Sequence, residues 1–243
     1  MEIIKWIDVN YKNKELKLRD KVILQLMYDG GCRIGEVLGL TLEDISLYKT
    51  KNANYVGIIK IRNRLSDKLF QSSKTCMKIT SLNDYRKNEY QTKNVGFQET
   101  YISYQTYQML IDYIDVSRGK DIKGSFADSV ERTTFSNEYV FLNLRTKTVL
   151  NISTWNMNLR KIFVANNLPI DVGVKKNGLN HLFRHGFAMK LLYDCNYRIE
   201  MVQKRMRHKN QSSTLIYINP TDEQIAEMKI KFEDEKLNND KKN

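Results

Sequence analysis

Residues 179–193 read LNHLFRHGFAMKLLY. Leu182, Phe183, Phe187, Ala188, Leu191 and Leu192 recur at helical spacing and predict an amphipathic helix that buries this stripe. His181 and Arg184 lie three apart and therefore share a face. The chain's three histidines, His181, His185 and His208, all fall in this C-terminal region. An imidazole beside a guanidinium suits a phosphodiester, because Arg offers a rigid fork of donors and His adds one more. The plainer alternative is an exposed His next to a surface Arg. His181 and His185 have the i, i+4 spacing of a zinc helix, but HLFRH lacks the Glu that follows the first His in such motifs. Arg184 between the two imidazoles would also repel a cation, so neither a metal nor a cofactor is expected.

Downstream, VQKRMRHKNQSSTLIYI (202–218) sets His208 nine residues before Tyr217, with Gln211, Ser212, Ser213 and Thr214 between them. Upstream, 19–29 (RDKVILQLMYD) reads as a helix through Val22, Ile23, Leu26 and Met27, ended by Gly30-Gly31. Arg33 and Glu36 then open a second short helix with Ile34, Val37 and Leu38 as its apolar stripe. Glu36 is spaced to reach back to Arg33 or to the helix N-terminal amides. The ordinary alternative is a surface ion pair of little consequence.

Between these ends, 55–61 (YVGIIKI) and 98–104 (QETYISY) predict strands. Tyr107, Leu110, Ile111 and Ile114 mark a helix after the second strand. The intervening 62–97 carries Arg62, Arg64, Lys68, Lys74, Lys78, Arg86, Lys87 and Lys93 against Asp67, Asp84 and Glu89. A hairpin connection this long is either functional or a mobile, solvated insertion. Residues 117–138 read as a second polar loop, 139–142 (YVFL) as a short strand, and 153–166 as a helix containing Trp155, Leu159, Ile162 and Phe163. The chain then reads as helical almost to its end, broken at Asn196 and at Asn219-Pro220. The sum is a mainly α fold with a small antiparallel β-sheet (α+β).

The 243 residues include 40 Lys+Arg and 28 Asp+Glu, a net charge of +12 that favours a polyanionic partner. Three scattered cysteines without CxxC spacing point to a reducing compartment, without a disulfide frame or zinc site. No stretch approaches the ~18 apolar residues of a membrane span. The N-terminal MEIIKWIDVNYKNKELK is too polar for a signal peptide, so a cytoplasmic location is expected.

Four segments in order resemble the tyrosine recombinase (phage integrase) family. They are LMYDGGCRIGEVLGLTLEDI (26–45), QTKNVGFQETYIS (91–103), LNHLFRHGFAMKLL (179–192) and the 202–218 stretch quoted above. Together they carry the ordered set R-x-x-E, H-x-x-R-H and H-x(8)-Y over nearly the whole chain. The resemblance implies a catalytic set of Arg33, Lys93, His181, Arg184, His208 and Tyr217, supported by Glu36 and His185. Lys74 and Lys78 are alternatives to Lys93 at the hairpin turn. The chain departs from the family pattern at Asn180–Arg184, where Pro-His-Asp-Leu-Arg is common, and at Arg207, where Gly usually precedes the His.

The resemblance further implies a metal- and ATP-independent recombinase or integrase of a phage or transposon. It would cut double-stranded DNA through a 3′-phosphotyrosyl bond and assemble as a homo-oligomer, a tetramer on DNA. Alternatives are a catalytically silent DNA-binding protein of the same fold and type IB topoisomerase-like relaxation. Candidate DNA contacts are Arg62, Arg64, Lys74, Lys78, Arg86, Lys87 and Arg207. The expected organisation is a catalytic domain over 1–220 with the basic insertion 62–97, and a C-terminal segment 221–243. In that segment Thr221 and Gln224 resemble a capping box, and Ile225, Met228 and Phe232 form a stripe suited to docking on a neighbouring protomer. The family's separate N-terminal DNA-clamping domain has no counterpart in these residues.

Overall fold

The computed structural model describes residues 2–65, 72–118, 138–170, 178–215, 217, 226, 229 and 230. It opens with two helices, α1 (Glu2–Asn10) and α2 (Lys14–Asp29). The first was not foreseen: its Lys and Asp residues mask a two-residue stripe, Ile3 and Ile7, that is buried. Asn13 caps α2, its side-chain oxygen accepting from the Leu16 amide at 2.8 Å. The apolar face of α2 (Val22, Ile23, Leu26, Met27) is wholly buried, and this helix is the spine of the molecule. After α3 (Ile34–Leu38) comes the sheet, β1 (Ile45–Lys49), β2 (Tyr55–Arg62) and β3 (Phe97–Ser103), antiparallel with β2 central. β1 was also unforeseen, because four of its five residues are exposed and it shows no apolar alternation.

The connection between β2 and β3 is built rather than loose along its described length. Asn63 is buried, and its amide donates to the Ser73, Cys76 and Met77 carbonyls at 2.9–3.2 Å while its oxygen accepts from the Ser73 amide at 2.6 Å. The Tyr90 hydroxyl donates to the Asn63 carbonyl at 3.1 Å from within the short α4 (Asn88–Gln91). Gly96 is required at the turn into β3, since a Cβ there would stand 2.2 Å from the Tyr90 carbonyl oxygen.

α5 (Tyr104–Arg118) packs on α2 and β2, and α6 (Ile152–Ala165) covers the far side through Trp155, Leu159, Ile162 and Phe163, all buried. The predicted strand at 139–142 is reduced to isolated bridges, Thr41 with Tyr139 and Leu142 with Val149. α7 (Leu179–Met189) lies against α2, continues as a π turn over Lys190–Asp194, and is followed by α8 (Ile199–Met206) and α9 (Ser212–Leu215). Leu182, placed in the buried stripe from its spacing, is 52% exposed. The buried face of α7 instead runs Leu179, Asn180, Phe183, Arg184, Phe187 and Ala188. The predicted break falls where expected, with Asn196 left-handed at φ 51°. Residues 119–137, the capping pair Thr221 and Gln224, and the stripe residues Ile225, Met228 and Phe232 lie outside the described residues. No helix among the described residues is long and apolar enough to cross a membrane.

Candidate active site

The C-terminal end of α2 meets α7 at Gly30-Gly31, opposite Arg184 and Phe187. Gly31 is left-handed (φ 59°), and a Cβ on it would lie 2.3 Å from the Phe187 ring. That close approach delivers Arg33, at the N-cap of α3, next to Arg184. Glu36 organises the cluster and is fully buried as a side chain. Its Oε1 accepts from Arg33 Nη1 at 2.8 Å, and its Oε2 accepts from the Arg33 amide and from Arg207 Nη2, each at 2.8 Å. Both options for Glu36, the guanidinium and the helix amide, are therefore realised. Burial pushes its carboxyl up, yet Arg207, Arg33 and Arg184 prevail and hold it down to about 2.

Arg184 is 3% exposed and donates through Nη1 to the Gly31 carbonyl and through Nη2 to the Met206 carbonyl. Its pKa is lowered to about 10 by burial first and then by Arg33 and Arg207. Excess positive charge in a low-dielectric pocket of this kind is a standing demand for an anion. His208, just past α8, has Nδ1 2.9 Å from Thr214 Oγ1. Burial and then Arg184, Arg33 and Arg207 hold its imidazole down to about 4, so it is neutral at pH 7.

The Tyr217 ring is 9% exposed, packed with Phe187, Leu191, Val202 and Met206. It lies parallel to the His208 ring (centroids 6.1 Å, 10°) and tilted against His185 (5.0 Å, 48°). Burial raises the phenol pKa, while Arg184 and Arg33 pull it back down. His181 sits one turn earlier on α7 and is exposed; the two imidazoles packed on Tyr217 are His185 and His208. Lys93 lies in the turn entering β3, and its ammonium is engaged by Glu99, which raises its pKa.

Three of the expected DNA contacts are turned inward. Arg62 and Arg64 have side chains 9% and 10% exposed and pair with Glu43 and Asp44. Charge alone suggests an outward face, but both carboxylates lie in the 3-10 turn just before β1 and pair with the guanidinium groups there. Arg207 is 4% exposed and buried against Glu36. Lys74, Lys78, Arg86 and Lys87 are exposed, Lys87 pairing with Asp84 at 2.7 Å. Sequence reasoning missed Thr214 as the partner of His208 and Arg207 as part of the buried cluster. The signal for Arg207 was its position, where glycine is usual.

The fold and this cluster define a class, a catalytic domain with two buried or half-buried arginines, a histidine and a tyrosine gathered in one cluster. Residues 3–224 match the family model described as the Phage integrase family, and the chain belongs to that family. It is similar to transposase A from transposon Tn554 of Staphylococcus aureus, 26% identical over 215 residues that cover 85% of this chain and 45% of that protein. It is also similar to tyrosine recombinase XerD of the same species, 24% identical over 231 residues, covering 95% of this chain and 60% of XerD. The chain thus spans about half the length of the curated relatives it matches. Its fold resembles the XerH site-specific recombinase bound to palindromic difH substrate in a post-cleavage complex, with TM-score 0.60 and 16% identity over 96% of this chain and 50% of that one.

Proposed function

We propose that this protein is a tyrosine recombinase that cuts and rejoins double-stranded DNA for a mobile element. The observation that carries the reading is the convergence of Arg33, Arg184 and His208 beside the Tyr217 ring, joined through Glu36, Gly31 and Met206. A scissile phosphate between the two guanidinium groups answers the excess positive charge there. Arg33 and Arg184 hold its non-bridging oxygens. Thr214 donating to His208 Nδ1 leaves the proton on Nε2, from which His208 gives the phosphate a further hydrogen bond without being charged.

Tyr217 Oη attacks phosphorus as its proton passes to solvent water, with His181 assisting that transfer or orienting the phenol. The P–O5′ bond breaks, and Lys93, released from Glu99 as the DNA backbone arrives, protonates the leaving oxygen. The products are a 3′-phosphotyrosyl bond and a 5′-hydroxyl. Attack by a partner strand's 5′-hydroxyl reverses the step and needs neither ATP nor a metal. Each preorganised donor on the phosphate is worth about 2.7–4 kcal/mol of barrier. Strand exchange between duplexes requires several protomers on the DNA, a tetramer in this reading, and residues 221–243 are its proposed docking segment.

The test is covalent capture. The protein is incubated with a pool of randomised duplexes carrying a nick, so that the short fragment bearing the new 5′-hydroxyl diffuses away after cutting. An SDS-resistant protein–DNA adduct, absent in Tyr217→Phe, is expected. Retained DNA binding without an adduct from any pool member overturns the enzymatic reading in favour of a silent DNA-binding protein.

A further inference from the structure

Residue 207 occupies the left-handed region (φ 54°, ψ 45°), which explains why glycine suits it. This chain holds an arginine there against its backbone preference, and the side chain turns wholly inward. Nη2 donates to Glu36 Oε2 at 2.8 Å and to the Gly31 carbonyl at 3.0 Å, and Nη1 lies 3.4 Å from the Gly30 carbonyl. Two of these acceptors are shared with the phosphate-facing arginines. The Gly31 carbonyl also accepts from Arg184, and the Glu36 carboxylate also accepts from Arg33. One guanidinium therefore ties the loop at 30–36, the Arg184 fork and the residue immediately before His208 into one unit.

We propose that Arg207 is a positioning residue for strand cleavage, fixing Arg33 and Arg184 in one relative pose through Glu36 and the Gly31 carbonyl while setting the register of His208. The inference rests on the proposed recombinase reading. Arg207 acts through other groups: its terminal nitrogens are turned to Glu36 Oε2 and to the Gly30 and Gly31 carbonyls. A misplacement of reacting groups by about 1 Å costs on the order of 10²-fold in rate, and that is the scale of effect expected here.

The experiment measures single-turnover cleavage of a captured nicked duplex at saturating protein, beside DNA affinity and the urea unfolding midpoint. Arg207→Gly relieves the left-handed strain but takes a buried cation from Glu36, so its midpoint falls while its affinity stays near wild type, and the folded variant cleaves about 10²-fold more slowly. Arg207→Lys regains part of the rate by restoring a donor to Glu36, and in a Glu36→Gln background Arg207→Gly costs much less. Cleavage by Arg207→Gly at the wild-type rate overturns the proposal, as does a rate loss matched by an equal loss of affinity. Should Arg207→Gly fail to fold, Arg207→Lys decides: slower cleavage at an unchanged midpoint supports positioning, and the wild-type rate overturns it. A wild-type protein that forms no adduct instead overturns the recombinase reading itself.

Discussion

Glu36 and His208 make the buried cluster sensitive to acid in two separable steps. His208 has its imidazole lowered from 6.5 to about 4, so between those values the unfolded chain binds the extra proton. Stability therefore rises with pH across that window and is lost as the pH falls through it. Glu36 is lowered from 4.5 to about 2, so its contribution is complete above 4.5 and disappears on descent toward 2. Urea midpoints followed from pH 7 to pH 3 are expected to fall throughout; His208→Gln flattens the upper part of that fall and Glu36→Gln the lower part. An unchanged slope in both variants would contradict these assignments. Lys93 makes a distinct residue-scale prediction. Removing a general acid typically costs 10²–10⁴-fold, and Lys93→Ala is expected to slow cleavage on the order of 10²-fold. A substrate with sulfur in place of the 5′-bridging oxygen has a leaving group that needs no proton, so it should be cut by Lys93→Ala at nearly the wild-type rate. Equal impairment on both substrates would remove Lys93 from the acid role and return attention to Lys74 and Lys78.

At the scale of elements, the site depends on how closely α2 approaches α7. Gly31 accepts the Phe187 ring where any Cβ would clash, and its left-handed φ adds strain to any substitution. Gly31→Ala is expected to destabilise the fold by about 2–4 kcal/mol, combining overpacking with backbone strain, as read from the shift in urea midpoint. Phe187→Ala in the same background should recover part of that loss by making room. The Gly30-Gly31 pair was legible in the sequence as a helix stop. Its second role was not, because Phe187 is more than 150 residues away and no local spacing encodes that contact. The same division holds elsewhere. α2, α5, α6 and α7 were readable from apolar recurrence, which is a local property of each helix. β1 was not, because its stability comes from pairing with β2 (Ile45 opposite Ile59, Lys49 opposite Tyr55) and not from its own pattern. Arg33, Arg184, His208 and Tyr217 could be named from ordered motifs, whereas the inward turn of Arg62, Arg64 and Arg207 depends on carboxylates that only the fold brings near.

For the molecule as a whole, the consequence is that the number of basic residues overstates what is offered to DNA. Of the 40 Lys+Arg, Arg62, Arg64, Arg184 and Arg207 have side chains turned inward, and three of these four are paired with carboxylates. The exposed basic residues of the β2–β3 connection, Lys74, Lys78, Arg86 and Lys87, are free to meet a phosphate backbone, although Lys87 must first leave Asp84. Each phosphate neutralised in duplex DNA contributes about −0.9 to the slope of log K against log salt. Replacing Lys74, Lys78 and Arg86 by Ala should therefore make that slope shallower by up to about 2.7 in total if all three touch the backbone, with no change in urea midpoint. Arg62→Ala and Arg64→Ala should behave in the opposite way. Each takes from Asp44, whose carboxylate also holds the Thr41 amide at 3.0 Å, one of its two cationic partners, so the midpoint falls while the salt slope stays at the wild-type value. A salt titration of DNA binding run beside urea denaturation separates the two groups. If Arg62→Ala changed the slope and left the midpoint alone, the inward orientation of that arginine would not be the one present on DNA.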